Sequence, residues 1–208
     1  IPYMPIGFEY PTNDKGEHLR FIAQINFAEV PPMEPYPEKG ILQFFIASDD
    51  MFGLDVENGH KVIYHENIVQ EEFTLKDFSF AKFGESDWFI FDSDLEANLK
   101  FNLKSEAISP FDFEFDTILG EKITTDIKWD VYYDFSKGDG QKLGGYPFFT
   151  QEDPRYQNCE DFILLFQLDS DDSLDICWGD SGVGNFFIRE SDLKSLDFSN
   201  VLYNWDCY

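Results

Sequence analysis

Across 208 residues, 41 Asp and Glu stand against 15 Lys and Arg, a formal net charge of −26. That excess excludes a basic groove for nucleic-acid backbones and disfavours anionic lipid surfaces, because both depend on cationic contacts. Hydrophobic residues at 43% and aromatics at 18%, with 24 Phe, exclude a disordered chain and supply a large core.

The chain opens on Ile1-Pro2-Tyr3-Met4, which reads as the middle of a motif, so further residues are expected before Ile1. The first strand pattern follows, with Phe21, Ala23 and Ile25 alternating against Ile22, Gln24 and Asn26. Pro31, Pro32, Pro35 and Pro37 predict a rigid loop. The second strand pattern has Leu42, Phe44 and Ile46 on one face and Ile41, Gln43 and Phe45 on the other, so it is expected to be covered on both sides. Val62-Ile63-Tyr64 is the third. In the centre, Trp88–Phe91, Lys100–Lys104 and Phe111–Asp116 read as strands, while Ile118–Tyr133 is open between strand and helix. Gly138, Gly140, Gly144 and Gly145 mark a loop. Beyond it, Phe162–Asp169 and the run around Phe186-Phe187-Ile188 are strands. Ser191 is placed to N-cap a short helix carrying Leu193 and Leu196.

The chain repeats itself. GILQFFIASDDMFGLDV (40–56) lies over GVGNFFIRESDLKSLDF (182–198) without gaps and with seven of 17 positions identical. LRFIAQIN (19–26) lies over FILLFQLD (162–169), bringing Gln24 over Gln167 and Asn26 over Asp169. Ile1-Pro2-Tyr3-Met4 lies over Tyr146-Pro147-Phe148-Phe149, and Val62-Ile63-Tyr64 pairs with Val201-Leu202-Tyr203. The same blocks recur in the same order, which implies duplication. The expected fold is mainly β or α+β: one compact strand-rich domain with few short helices. Its parts are a first half at 1–66, a central strand-rich insertion at 67–143 and a second half at 144–208.

Chemistry-bearing motifs are sparse. Gly179-Asp180-Ser181-Gly182 matches the nucleophile turn of chymotrypsin-like proteases. None of His18, His60 and His65 has the sequence setting of their base, and Ser181 overlies Lys39 in the repeat, so a turn is the expected role. Asp169, Asp171, Asp172 and Asp175 form an oxygen-rich run, but Leu174 stands where an EF-hand loop needs glycine. Trp178 beside Asp175 and Asp180 is the best local candidate for a sugar platform with paired acids. Cys159, Cys177 and Cys207 are odd in number and lack C-x-x-C spacing, so neither a disulfide framework nor a cysteine zinc site is expected. Gln24 and Gln167 are matching polar positions in apolar strands. They either hold each Pro-aromatic turn by hydrogen bonds or form a site shared by the two copies.

The set PYMPIGFEYP (2–11), LRFIAQINFAEV (19–30), YPEKGILQFFIASDD (36–50), GGYPFF (144–149), LLFQLDSD (164–171) and WGDSGVGNFFI (178–188) resembles the YwqG family. The resemblance spans nearly the whole chain. It implies residues before Ile1 and brings no activity and no catalytic residues, since that family is a domain of unknown function.

The functional expectation is a non-catalytic module that binds a basic protein, in a toxin-neutralising or regulatory role, without cofactor, metal, nucleic acid or membrane. The alternative is a hydrolase or metal-dependent enzyme with an acidic and aromatic cleft near Trp178. Candidate binding residues are Gln24, Asn26, Gln167, Asp169, Asp171, Trp178 and Asp180. The longest apolar run of the strands, Phe162–Phe166, is too short to span a bilayer, and no leader pattern precedes it, so the cytoplasm is the expected compartment.

Overall fold

A computed structural model describes residues 1–83, 89–92, 94–120, 129–156, 159 and 161–208. The chain divides into two compact units. The first comprises Ile1–Phe89, Glu96–Leu103 and Ser191–Val201, and the second comprises Ile90–Leu95, Lys104–Glu190 and Leu202–Tyr208.

Each unit is built on one three-stranded antiparallel sheet. The first holds β1 (Arg20–Asn26), β2 (Ile41–Ile46) and β3 (His60–His65) in the order β1-β2-β3. The second holds β4 (Phe162–Asp169), β5 (Val183–Arg189) and β6 (Leu202–Asp206) in the order β4-β5-β6. The central strands are apolar because both their faces are covered: every residue of β2 is buried, and every residue of β5 except Arg189. In the first unit Phe45 packs with Met4, Leu19 and Ala47. In the second, Phe187, which the repeat places over Phe45, packs with Phe149, Phe162 and Leu164.

The two sheets share an irregularity. A bulge interrupts β1 between Phe21 and Ala23, and another interrupts β4 between Leu164 and Phe166. Without the extra residue Ala23 would oppose Gln43. With it, Gln24 opposes Gln43, and Gln167 opposes Asn185. The shared order, pairing and bulge are what duplication requires.

The third strands correct the sequence alignment by two residues. Val62 opposes Phe44 and Tyr203 opposes Phe186, so Val62 is equivalent to Tyr203, not to Val201. His65 is then equivalent to Asp206. The shared V-x-Y spelling is misleading, because side chains alternate with a period of two, so a two-residue slip keeps every side chain on its face and the alternation alone does not reveal it.

The central strand expectations also fail. Phe89–Phe91 and 100–104 lie in irregular chain, Trp88 lies outside the described residues, and 111–116 forms turns that run into a π-helical turn at Asp116–Gly120. Ser and Asp side chains there offer the backbone local partners in place of a ladder. Ser109 Oγ accepts from Phe111 N (3.2 Å), Asp112 Oδ1 from Glu114 N (3.0 Å) and Asp153 Oδ2 from Phe113 N (3.2 Å). Within the ambiguous stretch, α1 (Trp129–Ser136) is helical, and 121–128 lie outside the described residues. Tyr132 and Ser136, four apart, turn inward, and Tyr132 Oη donates to Ile108 O (2.8 Å). α2 (Glu190–Lys194) buries Leu193 as expected, but it begins before Ser191, which is therefore inside the helix and not its cap.

Gly40 and Gly182 stand at matching places beside the end of the third strand. A β-carbon on Gly40 would lie 2.7 Å from the Tyr64 ring and 2.8 Å from His65 O, and one on Gly182 would collide with Asp206 O. Gly140 has a similar positive φ to Gly40 but open space around it. Gly182→Ala and Gly40→Ala are expected to lower unfolding free energy by about 2 kcal/mol or more, and Gly140→Ala by about 1 kcal/mol. Urea midpoints of the three variants check this order.

Candidate functional site

The matched amides form one construction in each unit. In the first, Gln24 Oε1 accepts from Tyr3 N (2.8 Å) and from Gln43 Nε2 (3.1 Å), and Gln43 Nε2 also donates to Tyr3 O (2.7 Å). In the second, Gln167 Oε1 accepts from Phe148 N (2.8 Å), and Asn185 Nδ2 donates to Phe148 O (2.9 Å). Both backbone groups of the aromatic residue after Pro2 or Pro147 are thus held by a cross-strand pair of amides. The turn-holding alternative is the one these bonds realise. Gln167 Nε2 also donates to Gly138 O (2.9 Å) and Gly140 O (2.8 Å), which ties the glycine loop to β4.

Sequence reasoning named Gln24 and Gln167 but missed Gln43 and Asn185. Their signal was present, since the ungapped repeat lays Gln43 over Asn185 in an otherwise apolar strand.

The end of the third strand distinguishes the units. His65 Nε2 donates to Gln43 Oε1 (3.0 Å), and its ring lies edge-on to Tyr3 (5.0 Å) and Phe8 (4.9 Å). The equivalent Asp206 carboxylate accepts from Thr150 N (3.0 Å), Thr150 Oγ1 (2.8 Å) and Gln151 N (3.2 Å). Burial pushes the His65 and His60 imidazoles below their ordinary value. His60 Nε2 donates to Val201 O (2.9 Å).

The remaining predicted residues have local roles. Asn26 Oδ1 accepts from Ala28 N (3.2 Å) and caps the 3₁₀ turn at Phe27–Glu29. Asp169 Oδ2 accepts from Gly140 N (2.7 Å), while burial raises its carboxyl above the ordinary range. Asp171 Oδ1 accepts from Ser173 N (2.9 Å) and Ser173 Oγ (2.6 Å) in an exposed turn. Trp178 is fully buried, with Trp205 (6.1 Å) and Tyr203 (6.3 Å) beside it and its ring against Gly184. That ring offers no face to a sugar. Asp180 lies exposed in the turn, and its carbonyl accepts from Tyr208 N (3.3 Å). Ser181 is exposed with φ 55, a turn conformation, and no described hydrogen bond joins it to an imidazole. Bonds between Asp171 N and Ile176 O (2.8 Å) and between Trp178 N and Ser170 Oγ (3.0 Å) gather Asp169, Asp171, Trp178 and Asp180 into one region of the second unit. Gln24 and Asn26 belong to the first unit. Among the described residues no group of three or more His, Cys, Asp or Glu is arranged to hold a metal ion.

Replacing Gln167 by Leu strands a buried N–H and two carbonyls, at roughly 1–3 kcal/mol per group. Gln24 is less buried than Gln167 and holds fewer groups. Gln167→Leu should therefore destabilise the chain more than Gln24→Leu, as read from chemical denaturation.

The two histidines give a pH dependence with a definite sign. Their folded values lie below 6.5, so the unfolded chain takes up protons first as pH falls. Their contribution is complete above 6.5 and is lost as pH drops through the folded values. Melting temperature should fall over that window, and less steeply in His65→Gln.

The family model described as a domain of unknown function, DUF1963, matches residues 1–207. No curated protein is significantly similar to the chain. With a match across nearly its whole length, the chain belongs to this family, the Domain of unknown function (DUF1963).

Proposed function

We propose that this chain is a non-catalytic binding protein whose partner is a basic protein, acting in the cytoplasm in a regulatory or toxin-neutralising role, and that within its family it is a YwqG-type member. The observation that carries the reading is the charge. Were every Lys and Arg to take one carboxylate, 26 carboxylates would still have no cation. Both units share the excess: the first has 19 acidic residues against 8 basic ones, the second 22 against 7. A field of that sign speeds encounter with cationic surfaces and repels nucleic acids and anionic lipids. No helix among the described residues is long and apolar enough to cross a membrane.

A glycosidase using Trp178 as its sugar platform would need an accessible aromatic face beside its acids. The covered Trp178 ring does not favour that alternative.

A peptide array of graded net charge tests the proposal. Binding to the full chain should rise with positive charge. It should weaken sharply between about 0.01 M and about 0.1 M NaCl, as the Debye length shortens from about 30 Å to about 10 Å. Binding indifferent to peptide charge and salt would overturn it, as would turnover on an ester or glycoside panel that Asp180→Asn abolishes.

A further inference from the structure

Five large apolar side chains of the first unit stand exposed together: Ile6 (63%), Phe8 (43%), Ile68 (49%), Val69 (38%) and Phe73 (54%). Single exposed hydrophobics are ordinary, whereas contiguous ones mark contact surfaces. Contiguity here is built by the backbone. Ile6 N donates to Phe73 O (2.8 Å), Leu75 N to Met4 O (2.7 Å) and Val69 N to Tyr3 Oη (2.8 Å). Phe8 lies against His65, the last residue of β3, from which the chain runs on to Ile68 and Val69. The amide pair that holds Tyr3 therefore also fixes this surface.

The fold does not require the patch to be apolar. Continuing the repeat from Tyr3 over Phe148 puts Ile6 over Gln151 and Phe8 over Asp153. The second unit uses the same sheet and the same amide pair with polar residues at both places.

The rim identifies the occupant. Glu9, Glu66, Glu71 and Glu72 lie on the same two segments and are exposed. Glu66 pairs with Lys39 and Glu71 with Lys76, but both pairs are solvent-exposed and worth little. Glu9 and Glu72 have no cation among the described residues. A second copy of this chain would bring the same acidic rim and a further −26 of charge. An apolar group reaches this surface favourably when basic residues accompany it.

We infer that the surface formed by Ile6, Phe8, Ile68, Val69 and Phe73 is the docking site for an aliphatic or aromatic anchor flanked by Lys or Arg in a protein partner. The inference rests on the proposed function and adds the place and chemistry of binding.

The test uses the full chain and two peptides, a Lys-rich one with a central Leu-x-x-Phe and the same peptide with Ser at both anchor positions. The anchored peptide should bind roughly tenfold or more tightly than the Ser peptide. Ile6→Ser with Phe73→Ser should remove that advantage and leave the Ser peptide's affinity unchanged. Ile68→Ser with Val69→Ser should do the same, with circular dichroism melts confirming the fold of each. Glu9→Lys with Glu72→Lys should weaken both peptides. If the peptides bind equally well, or the advantage survives both Ser pairs, the docking site is overturned while the basic-partner reading stands. If neither peptide binds, both are overturned. Concentration-dependent self-association, or sedimentation with phosphatidylcholine vesicles, that the Ser pairs abolish would overturn the inference in favour of a second copy or a lipid surface.

Discussion

The backbone N–H and C=O of a single aromatic residue, Tyr3 in one unit and Phe148 in the other, are held by two amides from adjacent strands. This grip needs three things at once. A bulge must shift the outer strand so that amide faces amide. Proline before the aromatic, Pro2 or Pro147, fixes φ where the chain enters the grip. A small residue at Gly40 or Gly182 must let the third strand close in. Losing the amide leaves buried backbone groups unpaired on the covered face of a sheet. The same requirement, met twice, explains why Gln, Pro-aromatic and Gly recur at matching places while the residues between them have diverged.

What diverged is how each unit completes the grip. Tyr10 packs against Phe45 and the rings of Phe78 and Phe80. Against the equivalent Phe187 lies the buried guanidinium of Arg155, also over Phe113. Arg155 is bonded to Asp112 (2.6 Å) and to Asp153 (2.6 Å), so its charge is paired where water is absent. One unit thus closes with aromatic contacts and a neutral imidazole, the other with ion pairs and a carboxylate that accepts backbone N–H groups. An apolar surface follows in the first and a polar one in the second.

Strands β1, β2, β4 and β5 were legible because their runs of Phe, Ile and Leu are short, bounded by turn residues and repeated. Gln24 and Gln167 stood out as amides in those runs. The third strands were found but misaligned, since Tyr64 and Tyr203 look alike while pairing makes Trp205 the equivalent of Tyr64. Alternation of Phe with Asp and Glu at 111–116 read as a strand, yet alternation makes a strand only where a partner ladder exists. There the aspartates and Ser109 capture the backbone first. The apolar patch was not legible, because Ile6 and Phe73 meet only through long-range backbone bonds.

Part of the acidity is structural. Asp49, Asp77, Asp112, Asp153, Asp171 and Asp197 each accept the N–H two residues ahead, so these aspartates make the turns that separate the strands. Bonds from Ser79, Ser173 and Ser199 hold the Asp77, Asp171 and Asp197 carboxyls below their ordinary value. Glutamate, one methylene longer, makes such turns poorly. The charge at Glu9 and Glu72 has no such local use, and it sits beside side chains that leave apolar surface in water. A fold that needed only turns and a core would place neither feature there. On the proposed reading, their coincidence separates the acidity that shapes this chain from the acidity that would meet a basic partner.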